Sequence, residues 1–127
     1  MPELKRLLAT RIVSTVDALD TVNWPSDLRV LRTAPDEVLL IPPAETLEID
    51  DPHAIVVSEG GFAGVWLDVE HAASFLEQAC EWTVPSERPA FAQGAVADIP
   101  TKLWLEEDRV LFMVPAPYAA EFEERIP

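Results

Sequence analysis

Apolar residues in this chain fall into short runs, and most of the runs have the length of strands. Arg11–Thr15, Leu28–Arg32 and Glu37–Ile41 each hold alternating or continuous β-branched and aliphatic residues bounded by polar or proline positions. The last two flank Thr33-Ala34-Pro35-Asp36, where proline pre-sets a turn dihedral, so they predict a hairpin. His53–Ser58 and Phe62–Leu67 read as two further strands around Gly60-Gly61. Thr101–Leu105 and Val110–Val114 read as another hairpin, turning at Glu106-Glu107-Asp108.

Helical spacing appears at fewer places. Leu4, Leu7 and Leu8 share one helical face, which predicts a short helix over residues 3–9. Residues 17–23 suit a helical turn ending before Pro25. Asp68 is a good N-cap, Glu70 suits the positive end of a helix dipole, and Ala72, Phe75, Leu76 and Ala79 follow at i, i+3, i+4 and i+7. A final helix is expected from Pro117, with Tyr118, Phe122 and Ile126 on its apolar face. Pro42–Pro52 reads as a proline-bounded acidic loop, and residues 81–97 as irregular.

An internal repeat adds to this picture. Moved by 47 positions, Gly64–Gln78 lies on Leu111–Arg125, with Ala72 on Ala119, Ala73 on Ala120, Phe75 on Phe122 and Glu77 on Glu124. Four identities in 15 positions also fit two unrelated strand–helix units. The expected fold class is α+β, with two β-β-α-like halves around antiparallel sheet. One domain over residues 1–127 is expected, with pseudo-repeat halves 1–52 and 53–127 if the loop divides it.

Composition narrows the function. Half of the 127 residues are apolar, enough for a core. Net charge is −14, from 23 acidic and 9 basic residues, which disfavours nucleic acid and anionic membranes as partners. Only Lys5 and Lys102 are lysines, a pattern that fits a halophilic host as well as an acidic protein of a GC-rich genome. No apolar run approaches the ~18–20 residues of a bilayer span, and the N-terminus lacks a signal-like apolar stretch, so a cytoplasmic protein is expected.

The search for chemistry returns no catalytic or metal residues. Gly60-Gly61-Phe62-Ala63-Gly64 has neither a following helix nor a nearby lysine and suits a turn, not a phosphate cradle. His53, His71 and Cys80 are too few and too scattered for a zinc site. Cys80, at an expected helix C-terminus, lacks the electropositive setting of a reactive thiol. Of the tryptophans, Trp66 and Trp104 fall in expected strands. Trp24 and Trp82 fall in proline-flanked stretches and, with Phe91, are candidates for a partner surface.

Ala34-Pro35-Asp36-Glu37-Val38-Leu39-Leu40 resembles the "GPDEWLLL" stretch of the gamma subunit of heterotetrameric sarcosine oxidase, and Phe91-Ala92-Gln93-Gly94 resembles its "F-x-x-G". Ala72-Ala73-Ser74-Phe75-Leu76 resembles that family's helix before a cysteine-containing turn, and the closing hairpin and helix of Lys102–Ile126 follow in the same order. The resemblance covers roughly 90 residues and implies the folate-binding or gamma-subunit fold. It also implies a non-catalytic subunit role beside larger flavin-containing oxidoreductase subunits. The chain is shorter than the usual gamma subunit. Ala95–Pro100 replaces the family's arginine-rich segment, and Pro115–Ala120 its "RSFADY". No cofactor residue carries over. A stand-alone folate-like binder or transferase is the alternative, and Arg29, Arg32 and Arg88 are the cations it would use. An unrelated acidic interaction module is the third.

Overall fold

The computed structural model describes residues 2–44 and 47–127; Met1 and, within the acidic loop, Glu45 and Thr46 lie outside the described residues. Seven strands carry the architecture: β1 (Lys5–Val13), β2 (Arg29–Ala34), β3 (Glu37–Ile41), β4 (Ile55–Asp68), β5 (Ala90–Val96), β6 (Ile99–Leu105) and β7 (Arg109–Pro115). Three helices accompany them: α1 (Val16–Thr21), α2 (Val69–Ala79) and α3 (Ala119–Arg125), the last preceded by a 3-10 turn over Ala116–Tyr118. The β1–β3, β2–β3, β4–β7, β5–β6 and β6–β7 pairings are all antiparallel. The chain forms two compact units, Leu8–Gly60 and the residues up to Leu7 together with Gly61–Pro127. It passes between them inside β1 and inside β4.

In the Leu8–Gly60 unit the expected β2–β3 hairpin forms, and β3 pairs on its other edge with β1, Ile12 opposite Val38. Val38, Leu39, Leu40 and Ile41 are all buried, so β3 is apolar on both faces. Ile12, Leu19, Val38 and Leu40 form the core, with Trp24, Leu28 and Val30 packed at its margin. Thr15 caps α1 by accepting from the Ala18 N–H at 3.2 Å. Arg32 closes the hairpin turn on the Pro35 carbonyl and reaches Asp20 at 2.9 Å. The short helix expected over residues 3–9 is instead the start of β1. Seven residues are too few to separate the two periods, and Leu8, assigned there to the apolar face, is 57% exposed.

The other unit has the strand order β4-β7-β6-β5. Two sequence expectations need correction here. Residues 55–68 form one continuous strand and not two, because Gly60 and Gly61 are extended and no glycine has a positive φ. Within the stretch expected to be irregular, residues 90–96 form β5, which joins β6 through a two-residue turn at Ala97-Asp98 with φ of 51° and 63°. Both positive values mark a type I′ turn, built without glycine or asparagine. α2 begins as expected, the Asp68 carboxylate accepting from the His71 N–H at 2.8 Å. Phe75, Phe112 and Phe122 meet at the centre of the core, their ring centroids 5.5–6.1 Å apart. Each fully buried phenyl contributes about 2–3 kcal/mol. Tyr118 does not join this face: it sits in the 3-10 turn, 42% exposed.

The repeat has a geometric counterpart in this unit. Its 47-residue shift carries Val65 onto Phe112, and these two lie directly opposite each other across β4 and β7. The shift also carries Gly64 onto Leu111 and Trp66 onto Met113, while the register pairs Gly64 with Met113 and Trp66 with Leu111. The strand pair therefore maps onto itself about a local twofold between Val65 and Phe112. The following helices obey the same relation. Phe75 of α2 meets its counterpart Phe122 of α3 edge-to-face at 5.5 Å, and Glu77 and Glu124 are both exposed.

Candidate functional site

The residues first suspected of chemistry are held in structural roles. Gly60 to Gly64 lie within β4, with no helix N-terminus after them before Asp68. The Asp51 carboxylate accepts from Ser14 Oγ at 2.6 Å, the His53 N–H at 2.9 Å and the Thr15 N–H at 3.4 Å. The Ser14 hydrogen bond, followed by that from His53, holds its pKa below the ordinary aspartate value. The hydrogen bonds come from a hydroxyl and two backbone N–H groups, with His53 adding a weaker electrostatic contribution, so the grouping is a clasp joining the loop to the start of α1 and not a catalytic triad. Cys80 caps α2, packs against the core and points its thiol at the Trp82 carbonyl, 3.3 Å away. Among the described residues no three His, Cys, Asp or Glu side chains gather into a group able to hold a metal.

The three aromatic candidates for a partner surface are each partly buried and partly exposed. Trp24 lies at the margin of the Leu8–Gly60 core. Trp82 lies flat on Gly94, its indole N–H donating to the Ala95 carbonyl at 2.8 Å. A Cβ at position 94 would stand 2.6 Å from Trp82 Cε2, so the glycine of Phe91-Ala92-Gln93-Gly94 is dictated by that indole. Phe91 pairs across β5 and β6 with Trp104, whose indole N–H donates to Glu106. Glu106 also holds Arg109, which stacks 3.8 Å from the Trp66 ring.

The clefts are acidic. One of about 400 Å³, between the end of α1 and the loop, is lined by Thr21, Asn23, Leu47, Glu48 and Asp50. A smaller one of about 240 Å³ lies beside Trp82, Glu81 and Asp98. Arg29, Arg32 and Arg88 line neither; Arg32 is engaged by Asp20 and Pro35, and Arg88 by the Pro85 and Glu87 carbonyls. Such clefts repel a polyanionic ligand.

No protein-family model, curated protein or solved structure matches this chain. Function is therefore argued from the chain's own surface. No helix among the described residues is long and apolar enough to cross a membrane.

One surface stands apart. Ile55, Val56 and Val57 open β4 with exposures of 55%, 46% and 44%, and Ser58 is exposed too. Successive strand residues point to opposite faces, so both faces of this stretch carry half-exposed aliphatic side chains. β7 pairs with β4 only from Phe62 to Asp68, so among the described residues no strand covers Ile55–Ser58 on that edge. From Leu47 to Glu59 the chain carries Glu48, Asp50, Asp51 and Glu59 and no Lys or Arg. An Ile-Val-Val run without polar alternation reads in sequence as a strand buried on both faces, which is why its exposure was not legible there.

Proposed function

We propose that this chain is a non-catalytic accessory protein that binds a larger protein through the opening residues of β4. The observation that carries the reading is the exposure of three consecutive aliphatic side chains in an ordered strand. Single apolar residues on a surface need no explanation, whereas three in succession leave apolar area on both faces of one strand. Covering what remains exposed of Ile55, Val56 and Val57 yields roughly 2–4 kcal/mol, a useful part of a protein interface.

The narrower reading is a gamma-type subunit of a sarcosine-oxidase-like enzyme. Its support is the sequence resemblance, whose segments fall on the β2–β3 hairpin, β5 and the closing β6–β7–α3 element. A folate-like binder is less well supported, because the described clefts present carboxylates. An acidic interaction module of a halophilic organism shares the docking reading but not the flavoprotein partner.

The test is affinity purification from the native host, comparing the natural chain with the Ile55→Ser/Val57→Ser variant. The variant should keep its circular dichroism spectrum and lose the co-purifying partner. Flavin absorbance in the captured fraction supports the gamma-type reading. Retention of the same partner by the double variant sinks the docking proposal. A thermal shift with tetrahydrofolate at about 100 times its Kd would correspond to about 2.7 kcal/mol and would favour the binder instead.

A further inference from the structure

We propose that the cleft beside Trp82 binds a small N-methylated ammonium compound, a function separate from docking through β4. The cleft lies wholly within the unit that contains Gly61–Pro127, between the end of α2 and the β5–β6 turn. Hydrogen bonds hold its walls in place. The Ala97 N–H donates to the Ala79 carbonyl at 2.8 Å, which ties the turn to the end of α2. The Trp82 indole N–H donates to the Ala95 carbonyl at 2.8 Å, and the Cys80 thiol reaches the Trp82 carbonyl at 3.3 Å. The space they frame, about 240 Å³, is therefore formed in advance of any ligand. It is below the ~300 Å³ at which drug-sized pockets begin, so the occupant is small.

The lining selects the charge. With its N–H engaged, the indole offers a ligand π surface and no donor. Glu81 and Asp98 offer acceptors only, and among the described residues neither carboxylate is held by a hydrogen bond or ion pair. No Lys or Arg among the described residues lines the cleft. Arg125 meets the turn at the Ala97 carbonyl and turns its other nitrogen to Glu121. An aromatic wall with carboxylates beside it favours a cation. Ala79, Ala95 and Ala97 add apolar lining. That suits a charge spread over N-methyl groups better than a strongly hydrated primary ammonium.

The probes are choline, its neutral carbon isostere dimethylbutanol, and ethanolamine, which keeps the charge of choline without its methyl groups. Each is titrated into the full-length chain at low salt and followed by NMR of the indole N–H groups and of the choline methyl protons. Choline should shift the Trp82 indole peak, identified by its absence in Trp82→Leu, and its methyl signal should move upfield under the ring current. It should bind about tenfold more tightly than either analogue. Glu81→Gln/Asp98→Asn keeps the turn, because asparagine tolerates the positive φ of position 98, and should weaken choline about tenfold. Glu48→Gln/Asp50→Asn removes as much charge from the larger cleft of the other unit and should leave choline binding intact. Equal binding of dimethylbutanol or ethanolamine overturns the proposal. So does an equal loss in both double variants, which assigns the effect to the net charge of −14. An unmoved Trp82 peak at the highest choline concentration removes the site altogether. Tighter binding of a trimethyllysine peptide than of choline gives the cleft to a protein side chain and overturns its assignment to a free compound.

Discussion

Replacing Gly94 with alanine should destabilise the protein, and the same change should stabilise it once Trp82 is gone. The added Cβ would lie 2.6 Å from Cε2, 2.7 Å from Nε1 and 3.0 Å from Cζ2 of the indole, which must therefore move. Moving it stretches the 2.8 Å hydrogen bond to the Ala95 carbonyl, worth about 1 kcal/mol. It also lifts part of a half-buried indole from the core, for about another 1 kcal/mol. Gly94→Ala should thus cost about 2 kcal/mol. In a Trp82→Ala background the clash is absent, and alanine in a strand gains about 0.5–1 kcal/mol over glycine. The coupling between the two sites is then close to 3 kcal/mol, far above the ~0.5 kcal/mol scatter of independent sites. Urea unfolding followed by far-UV circular dichroism measures all four corners of the cycle without relying on tryptophan fluorescence. Equal costs for Gly94→Ala in both backgrounds would show that the indole does not dictate the glycine.

Two other substitutions test local features. Ala97 holds a φ of 51° in the β5–β6 turn, so Ala97→Gly should stabilise by about 0.5–1 kcal/mol after the greater freedom of the unfolded glycine is subtracted; a loss in urea midpoint contradicts this. Asp51 has a folded pKa below its unfolded one, so its contribution is present above about pH 3.9 and is lost as pH falls from there through the depressed native value. Melting temperatures of the natural chain and Asp51→Asn should differ at neutral pH and converge toward acid, and parallel curves refute the clasp.

The legible parts of the fold were those with local chemical punctuation. Pro35 marked the first hairpin, Asp68 and the spacing from Ala72 to Ala79 marked α2, and Glu106–Asp108 marked the last hairpin. What escaped lacked such marks. The Ala97-Asp98 turn adopts two positive φ values with residues that do not announce them, so β5 was hidden. The Gly60-Gly61 pair announces a turn but lies extended inside β4. Leu4, Leu7 and Leu8 satisfy a helical spacing over a length at which strand pairing decides the outcome. The candidate site was the least legible, because Ile55-Val56-Val57 looks in sequence like the most buried part of a strand. Trp24 and Trp82, chosen for their size, are engaged by their own chain.

The meeting of β4–α2 with β7–α3 is the contact that two identical molecules make about a dyad, folded here into a single polypeptide. Self-complementarity of this kind divides the positions into two classes. Away from the dyad, each residue has a counterpart in separate surroundings, and the two are free to diverge, as Asp68 and Pro115 have at the entrances to their helical segments. On the dyad, Val65 and Phe112 are each other's surroundings, and so are Phe75 and Phe122, so a change in volume at one must be answered by its own twin. Phe75 and Phe122 have kept the same side chain under this constraint, whereas Val65 and Phe112 have diverged as a pair, a small residue now facing a large one.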